Sequence, residues 1–253
     1  MIALLGNLAC DLFPDGVPRV GGGAYHGGRA LRRLRVPARI VTRCARAQRD
    51  VLLPPLVRMG TPVRWMAGES TATFEFEFHG EERKMQAVEL GDVWRPGDLS
   101  MLPSTRWVHI APLFRGEFPA ETIAALARRC RVSFDAQGLV RAPELGPLHL
   151  DANYDPEILR HVWVLKLADE EAEVVGDVTA LGVKEMLVTH GSRGSTVYYG
   201  GVKEFVPARA LDVNATGAGD AFATAYIVGR QAGLRPVGAA RRATAVVASV
   251  LAG

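Results

Sequence analysis

The sequence predicts an α/β fold: a mostly parallel sheet with helices on both faces. Short apolar runs rich in Val, Ile and Leu alternate with helix-period segments for most of the 253 residues. Strands buried on both faces read this way. Glycine-rich turns stand where such runs give way to helical patterns, at Gly21-Gly22-Gly23 and at Gly217-Ala218-Gly219. A third observation is a single strictly alternating hairpin, which marks a small sheet set apart from the main one.

The elements follow in order. Ile2 to Leu5 reads as a first strand and Ala24 to Leu34 as a helix that must end before Pro37. Ala38 to Thr42 is a second strand. Gln48 to Met59 is helical in pattern but carries Pro54-Pro55, so it is expected to start late or kink. Trp107 to Ala111, Val132 to Asp135, Val162 to Leu165 and Glu185 to Thr189 are further apolar strands. Ala120 to Arg129, Asp155 to Arg160, Asp169 to Val175 and two C-terminal segments, the first being Ala221 to Gln231, read as helices. Between them Thr71 to Phe78 alternates strictly and turns at His79 to Glu82. This puts Phe74, Phe76 and Phe78 on one face and Thr73, Glu75 and Glu77 on the other. That Phe face needs a cover: a ligand, the main body or a second subunit.

Composition narrows the function classes. Hydrophobic residues make up 48% and charged residues 23%, as in ordinary globular domains, and no apolar run approaches the ~20 residues of a membrane span. The N-terminus runs directly into a strand without a basic region, so no signal peptide is expected. Cys10, Cys44 and Cys130 are odd in number and widely spaced, which fits reduced thiols in the cytoplasm. Net charge is +3, and only four of the 30 basic residues are Lys, so 26 are Arg. The Arg clusters, Arg29-Arg32-Arg33-Arg35 and Arg128-Arg129-Arg131, sit at helical spacing beside apolar residues and read as solvated helix faces. Neither nucleic acid nor membrane is expected as a partner.

The chemistry concentrates near Asp212-Val-Asn-Ala-Thr-Gly-Ala-Gly-Asp220. Small residues at a helix start let a ligand approach the backbone, and the first N–H groups of that helix attract anions. A carboxylate there would repel a static phosphate. It fits a base that takes a proton from a hydroxyl attacking that phosphate. Read alone, the run serves equally as a capped helix start. Asp11, just after the first strand, can accept two hydrogen bonds from neighbouring hydroxyls, or simply cap a turn.

Together Gly6-Asn-Leu-Ala-Cys-Asp11, Gly21-Gly22-Gly-Ala-Tyr-His26, Val188-Thr-His-Gly191-Ser-Arg-Gly194 and Thr216-Gly-Ala-Gly-Asp220 resemble the motifs of the PfkB (ribokinase) family of small-molecule kinases, across almost the whole chain. The match is most similar to a short inositol- or sugar-kinase-like branch. The resemblance implies one ribokinase-like domain over residues 1–253, a Rossmann-like α/β/α sandwich, with a β lid formed by about 12–20 and 62–90. It implies transfer of phosphate from ATP, with Mg²⁺, to a hydroxyl of a small sugar, polyol or nucleoside. On this reading Asp220 is the catalytic base, and Gly217, Ala218 and Gly219 form the anion hole. Asp11, Asn7, Gly21, Gly22 and His26 surround the acceptor. Thr189, Gly191, Gly194, Thr216 and Thr244 line the nucleotide site. Glu171 is the possible partner of Mg²⁺-bound water, in Ala168-Asp-Glu-Glu171, where the family's usual Asn is lost.

Asn214 replaces a common Asp, so weak dependence on K⁺ is expected. The chain is shorter than most members, which implies a base pocket built from few residues. A homodimer through the lid is expected from the Phe face. The other class weighed is a non-catalytic ligand-binding or regulatory protein on the same scaffold, which would have no need of Asp220. A dinucleotide oxidoreductase ranks far below, because Gly21-Gly22-Gly23 does not directly follow the first strand.

Overall fold

The computed structural model describes residues 1–79, 82–209 and 215–252; the side chains of residues 78, 79, 82 and 83 are also outside the description. The expected turn centre at residues 80–81 and Asn214 therefore lie outside the described residues. The strands are β1 (Ile2–Asn7), β2 (Ala9–Leu12), β3 (Pro18–Gly21), β4 (Ala38–Ala45), β5 (Val63–Gly68), β6 (Ala72–His79), β7 (Glu82–Glu89), β8 (Trp107–Ile110), β9 (Arg131–Asp135), β10 (Gly146–Pro147), β11 (Val164–Ala168), β12 (Glu185–Thr189), β13 (Gly194–Tyr199) and β14 (Val202–Pro207). The helices are α1 (Gly23–Leu34), α2 (Arg49–Val57), α3 (Ala120–Ala127), α4 (Gln137–Val140), α5 (Asp169–Val175), α6 (Ala218–Gln231) and α7 (Pro236–Leu251).

The main sheet runs β14-β13-β12-β11-β9-β8-β1-β4-β5. From β12 to β5 its neighbours are parallel, and β13 and β14 close one edge as an antiparallel pair. Strand β1 explains the layering. All six of its residues are buried. Ile2 and Leu4 join the core beneath α1, α6 and α7, and Ala3 and Leu5 join the opposite core with Ile123 and Leu126 of α3. The period of two sends alternate side chains to opposite faces, and helices cover both. The predicted α/β/α sandwich is the fold observed.

The second sheet, β10-β7-β6-β2-β3, packs over one end of the first. Its bounds differ from the expected lid. Val63–Gly68 pairs in parallel with β4 in the main sheet, while Ala9–Leu12 enters the small sheet beside β6. The chain passes from one sheet to the other at Leu8, between β1 and β2. Phe74 and Phe76 form a third core with Leu113 and Phe114, and Phe13 stacks on Phe76 at 4.8 Å between centroids. Phe74 and Phe76 are thus covered by their own chain.

Smaller shifts have local causes. Helix α2 starts at Arg49 and runs through both prolines; the carbonyls they leave unbonded belong to Asp50 and Val51, which are exposed and can bond to water. Residues 156–161 form a 3-10 turn instead of a helix, and the strand after it is β11, two residues later than expected. Among the described residues no helix is long and apolar enough to cross a membrane.

Candidate active site

Helix α6 begins one turn earlier than its apolar pattern indicated, so Asp220 lies in its first turn. Gly217 precedes the helix at φ 76°, in the left-handed region, where a side chain is strained. A Cβ there would also fall 2.6 Å from the Cβ of His26 and overlap its ring. His26 on α1 therefore packs directly against the turn. The Ala218 N–H donates to the Ala215 carbonyl at 3.0 Å. The expected three-amide cradle accordingly loses Ala218, and an anion is left the neighbouring amides of the turn.

Three consecutive glycines link the two carboxylates. A Cβ on Gly21 would lie 2.6 Å from Oδ1 of Asp11, and one on Gly23 would lie 2.6 Å from Oδ1 of Asp220. Gly22 between them precedes α1 at φ 90°. The backbone from β3 into α1 thus runs directly past both acids, an approach that side chains would block. Asp11 is 8% exposed on β2. Oδ1 of Asp220 is buried without a hydrogen-bond partner. Burial, and then the Asp135 carboxylate, push the Asp220 carboxyl up to about 7, against the pull of Lys166 and Arg141. This is the range in which a carboxylate works as a general base near neutral pH.

Beneath the turn lies a buried charge cluster that the motifs did not reveal. Lys166 Nζ sits 3.2 Å from Oδ2 of Asp135 and 3.7 Å from Oε2 of Glu171. It is 3.1 Å from where a Cβ on Gly219 would stand, so the ammonium lies directly under the turn. The two carboxylates hold Lys166 above its ordinary value despite its burial. Arg141 lines the same cleft and donates to the Leu113 carbonyl at 3.2 Å. Two signals were present in the sequence: Lys166 is one of four lysines and stands in an apolar strand, and Asp135 ends another. Neither reveals that the two meet, because β9 and β11 become neighbours only in the sheet.

Asn7 is a correction. It is 2% exposed; its amide donates to the Asp92 carbonyl at 2.8 Å, and its Oδ1 accepts from Trp94 Nε1 at 2.8 Å. The side chain ties β1 to the 92–94 loop and is spent there, not on an acceptor. Glu171 is similarly committed. Its Oε2 accepts from the Ala168 N–H at 2.7 Å, closing a cap on α5. Among the described residues no group of three His, Cys, Asp or Glu is arranged to hold a metal. A Mg²⁺ ion would fit here only as one carried by donor phosphates and water, with Glu171 at second hand.

A cleft of about 520 Å³ opens above Asp220, lined by Thr216, Gly217, Gly219, Lys166 and Arg141. It runs into a smaller apolar pocket of about 160 Å³ lined by Thr189, Gly191, Gly194, Phe222, Thr244 and Val247. Thr189, Gly191, Ala215, Ala218 and Gly219 border both. The five residues expected around a nucleotide thus fall around one continuous space. The 190–194 loop is held by His190, which contacts Asp169 through Nδ1 and Thr196 Oγ1 through Nε2 at 2.7 Å, while Arg193 donates to Asp169 at 2.7 Å.

A buried carboxylate thus stands at a glycine-lined helix start and faces a phosphate-sized cleft. The chain belongs to the PfkB family of carbohydrate kinases, which matches residues 86–252. Inositol 3-kinase of Zea mays is 31% identical over 210 residues, 78% of this chain and 52% of the plant protein. Inositol 3-kinase of Oryza sativa subsp. japonica is 34% identical over 173 residues, 64% of this chain and 43% of that protein. The chain therefore spans about half the length of the curated relatives it matches. Among solved structures, a pyrophosphate-dependent kinase of the ribokinase family, complexed with a pyrophosphate analogue and myo-inositol, is 26% identical with TM-score 0.86, covering 100% of this chain and 95% of that one. A pyrophosphate-dependent myo-inositol-1 kinase converted into a myo-inositol-3 kinase is 27% identical with TM-score 0.84, covering 100% and 94%.

Proposed function

We propose that the protein is a kinase that phosphorylates a hydroxyl of a small polyol of the inositol class. The observation that carries this reading is the pair of acids at the two ends of Gly21-Gly22-Gly23, with only Asp220 on the phosphate side. Asp11 holds neighbouring hydroxyls of the acceptor. Asp220 accepts the proton of the hydroxyl that reacts. The freed oxygen attacks the terminal phosphorus of the donor, the bond to the bridging oxygen breaks, and the leaving phosphate takes that electron pair. Charge growing on the transferred group is met by the amides around Gly219 and by Lys166 below them. Magnesium, when bound, adds positive charge at the same phosphates. The non-catalytic alternative gives no reason to keep a carboxylate there.

ATP is the donor on the first reading, with its base in the apolar pocket beside Phe222 and Val247. Pyrophosphate is the second reading. It is supported by the two pyrophosphate-dependent kinase structures of 26% and 27% identity and by the size of the base pocket, about 160 Å³ against about 520 Å³ for the phosphate cleft. Three free cysteines support work in the cytoplasm. The motive for a lid dimer weakens, because Leu113, Phe114 and Phe13 already cover Phe74 and Phe76.

A phosphate-transfer screen decides the matter. Inositols, sugars and nucleosides are offered with ATP, GTP, ADP and pyrophosphate. Transfer to myo-inositol is expected, and the donor that supports it selects between the two readings. Binding of inositol without transfer from any donor would instead favour the ligand-binding alternative.

A further inference from the structure

Five arginines line a groove of about 1020 Å³ on the side of the molecule where α1, α2 and α7 all end: Arg29, Arg32, Arg33, Arg35 and Arg58. Four of them form the basic cluster that reads, in sequence, as a solvated helix face. The fold changes that reading. Arg58 arrives from the end of α2 and the last turn of α7 closes the third side, so the cluster becomes the wall of a concavity. Among the described residues no carboxylate lines it and none of the five forms an ion pair.

The ordinary role of cations at helix C-termini is to meet the partial negative charge of the last carbonyls. Arg29 serves this purpose, and Arg33 is held beside it. Arg29 donates to the Val250 carbonyl at 3.0 Å, and Arg33 donates to the Ser249 hydroxyl. Those bonds also fix the two guanidiniums in place. Arg32, Arg35 and Arg58 are exposed and have no such partner among the described hydrogen bonds. Five like charges around one groove repel one another and raise the local positive potential.

We propose that this groove is a second anion-binding site, for a compact small molecule bearing several phosphoryl groups. Guanidinium forks match pairs of phosphate oxygens, and several set around a cavity recognise several phosphates at once. The volume suits a small molecule, since ligand sites run to roughly 1,000 Å³. A duplex or a bilayer would instead call for an extended or flat basic surface. The site is distinct from the cleft at Asp220. The two share no lining residue: the groove lies along α1 from Tyr25 to Arg35, while the cleft faces the turn that leads into α6. The same chemistry comes in two forms, a linear polyphosphate and a polyphosphorylated ring, and the groove by itself fits both.

The test is calorimetric titration of the full chain with inorganic tripolyphosphate and, separately, with myo-inositol hexakisphosphate, at low and high salt. The comparison is the triple variant Arg32→Ala, Arg35→Ala, Arg58→Ala, whose changes are at exposed positions outside the cleft. The wild type is expected to bind one more probe molecule per chain than the variant, or to bind it about tenfold or more tightly, with the difference shrinking as salt is raised. The unfolding temperature should be unchanged or higher, since like charges have been removed. Which probe shows the difference identifies the form of the ligand. Equal binding of both probes by wild type and variant would overturn the proposal. So would arginine-dependent binding confined to a short DNA duplex or to phosphatidylserine vesicles, run as parallel arms.

Discussion

Asp220 has no hydrogen-bond partner for Oδ1 and is pushed up to about 7. On the proposed mechanism, only its ionised form accepts the proton. kcat/KM should therefore rise with pH and level off above about 7. Asp220→Asn should lower kcat by ~10²–10⁴-fold with donor affinity roughly intact; turnover near that of the wild type would remove the base from the mechanism. Asp135 is the largest charge contribution raising that carboxyl. Asp135→Asn should accordingly move the acid limb of the pH profile downward. A limb that does not move would mean that burial alone sets it. Asp220 is legible from its motif. Asn7 is not, because its motif position says nothing of Asp92 and Trp94, which claim its side chain from 85 and 87 residues away.

At the scale of the element, what matters is how α6 is held, since it follows the glycine turn and carries Asp220, the proposed base. Glu185 at the start of β12 accepts from Tyr226 Oη at 2.6 Å and from Arg230 Nη2 at 2.6 Å and Nε at 2.9 Å, all on α6. Trp163 Nε1 donates to the same carboxylate at 3.2 Å. Glu185→Ala would leave the phenol and a largely buried guanidinium without their acceptor. A loss of ~3–5 kcal/mol is expected from denaturant unfolding. A loss below ~1 kcal/mol would place these groups in water, where exposed pairs contribute that little. The boundary of α6 itself lies three residues before its apolar pattern, because Ala218, Gly219 and Asp220 carry no apolar period, although they have helical geometry.

At the scale of the whole molecule, one buried carboxyl joins three separate segments. Glu117 accepts from the Leu113 N–H at 2.9 Å, stands beside the Asn7 amide, and its carbonyl accepts from the Trp94 N–H at 2.7 Å. Burial pushes its carboxyl up to about 8. Between the ordinary 4.5 and about 8 the unfolded chain gives up this proton while the folded chain keeps it, so the stability it contributes falls as pH rises through that window. Glu117→Gln has no proton to lose. Relative to wild type it should be more stable at pH 9 than at pH 5 by a few kcal/mol, since each pH unit crossed inside that window costs the wild type about 1.4 kcal/mol. An equal effect at both pH values would mean that Glu117 is ionised in the fold.

The lid makes the last prediction. Phe74 is 3% exposed and stacks on Phe114 at 5.3 Å between centroids. Phe74→Ala should loosen the small sheet from the body, by ~3–5 kcal/mol of lost packing if it unfolds with the rest. The acceptor KM should rise, because Asp11 rides on β2 beside β6, while sedimentation of the variant stays that of the wild type. A changed oligomeric state would return the Phe face to an interface.

The order of residues by itself determined the layered sandwich and the two glycine turns, because each rests on local physics: alternating burial, a 3.6-residue period, and turns that only small residues allow; the roles expected of the two acids came from the family resemblance. It could not reveal which charges meet. Asp135 and Lys166 are paired by the crossover that sets β9 next to β11, and Asn7 is claimed by a loop far along the chain. The fate of Phe74 and Phe76 was decided by Leu113 and Phe114 after β8. The basic groove needed three helices to end together before exposed arginines became the wall of a cavity. Each of these depends on long-range approach, and such contacts leave no period in the chain.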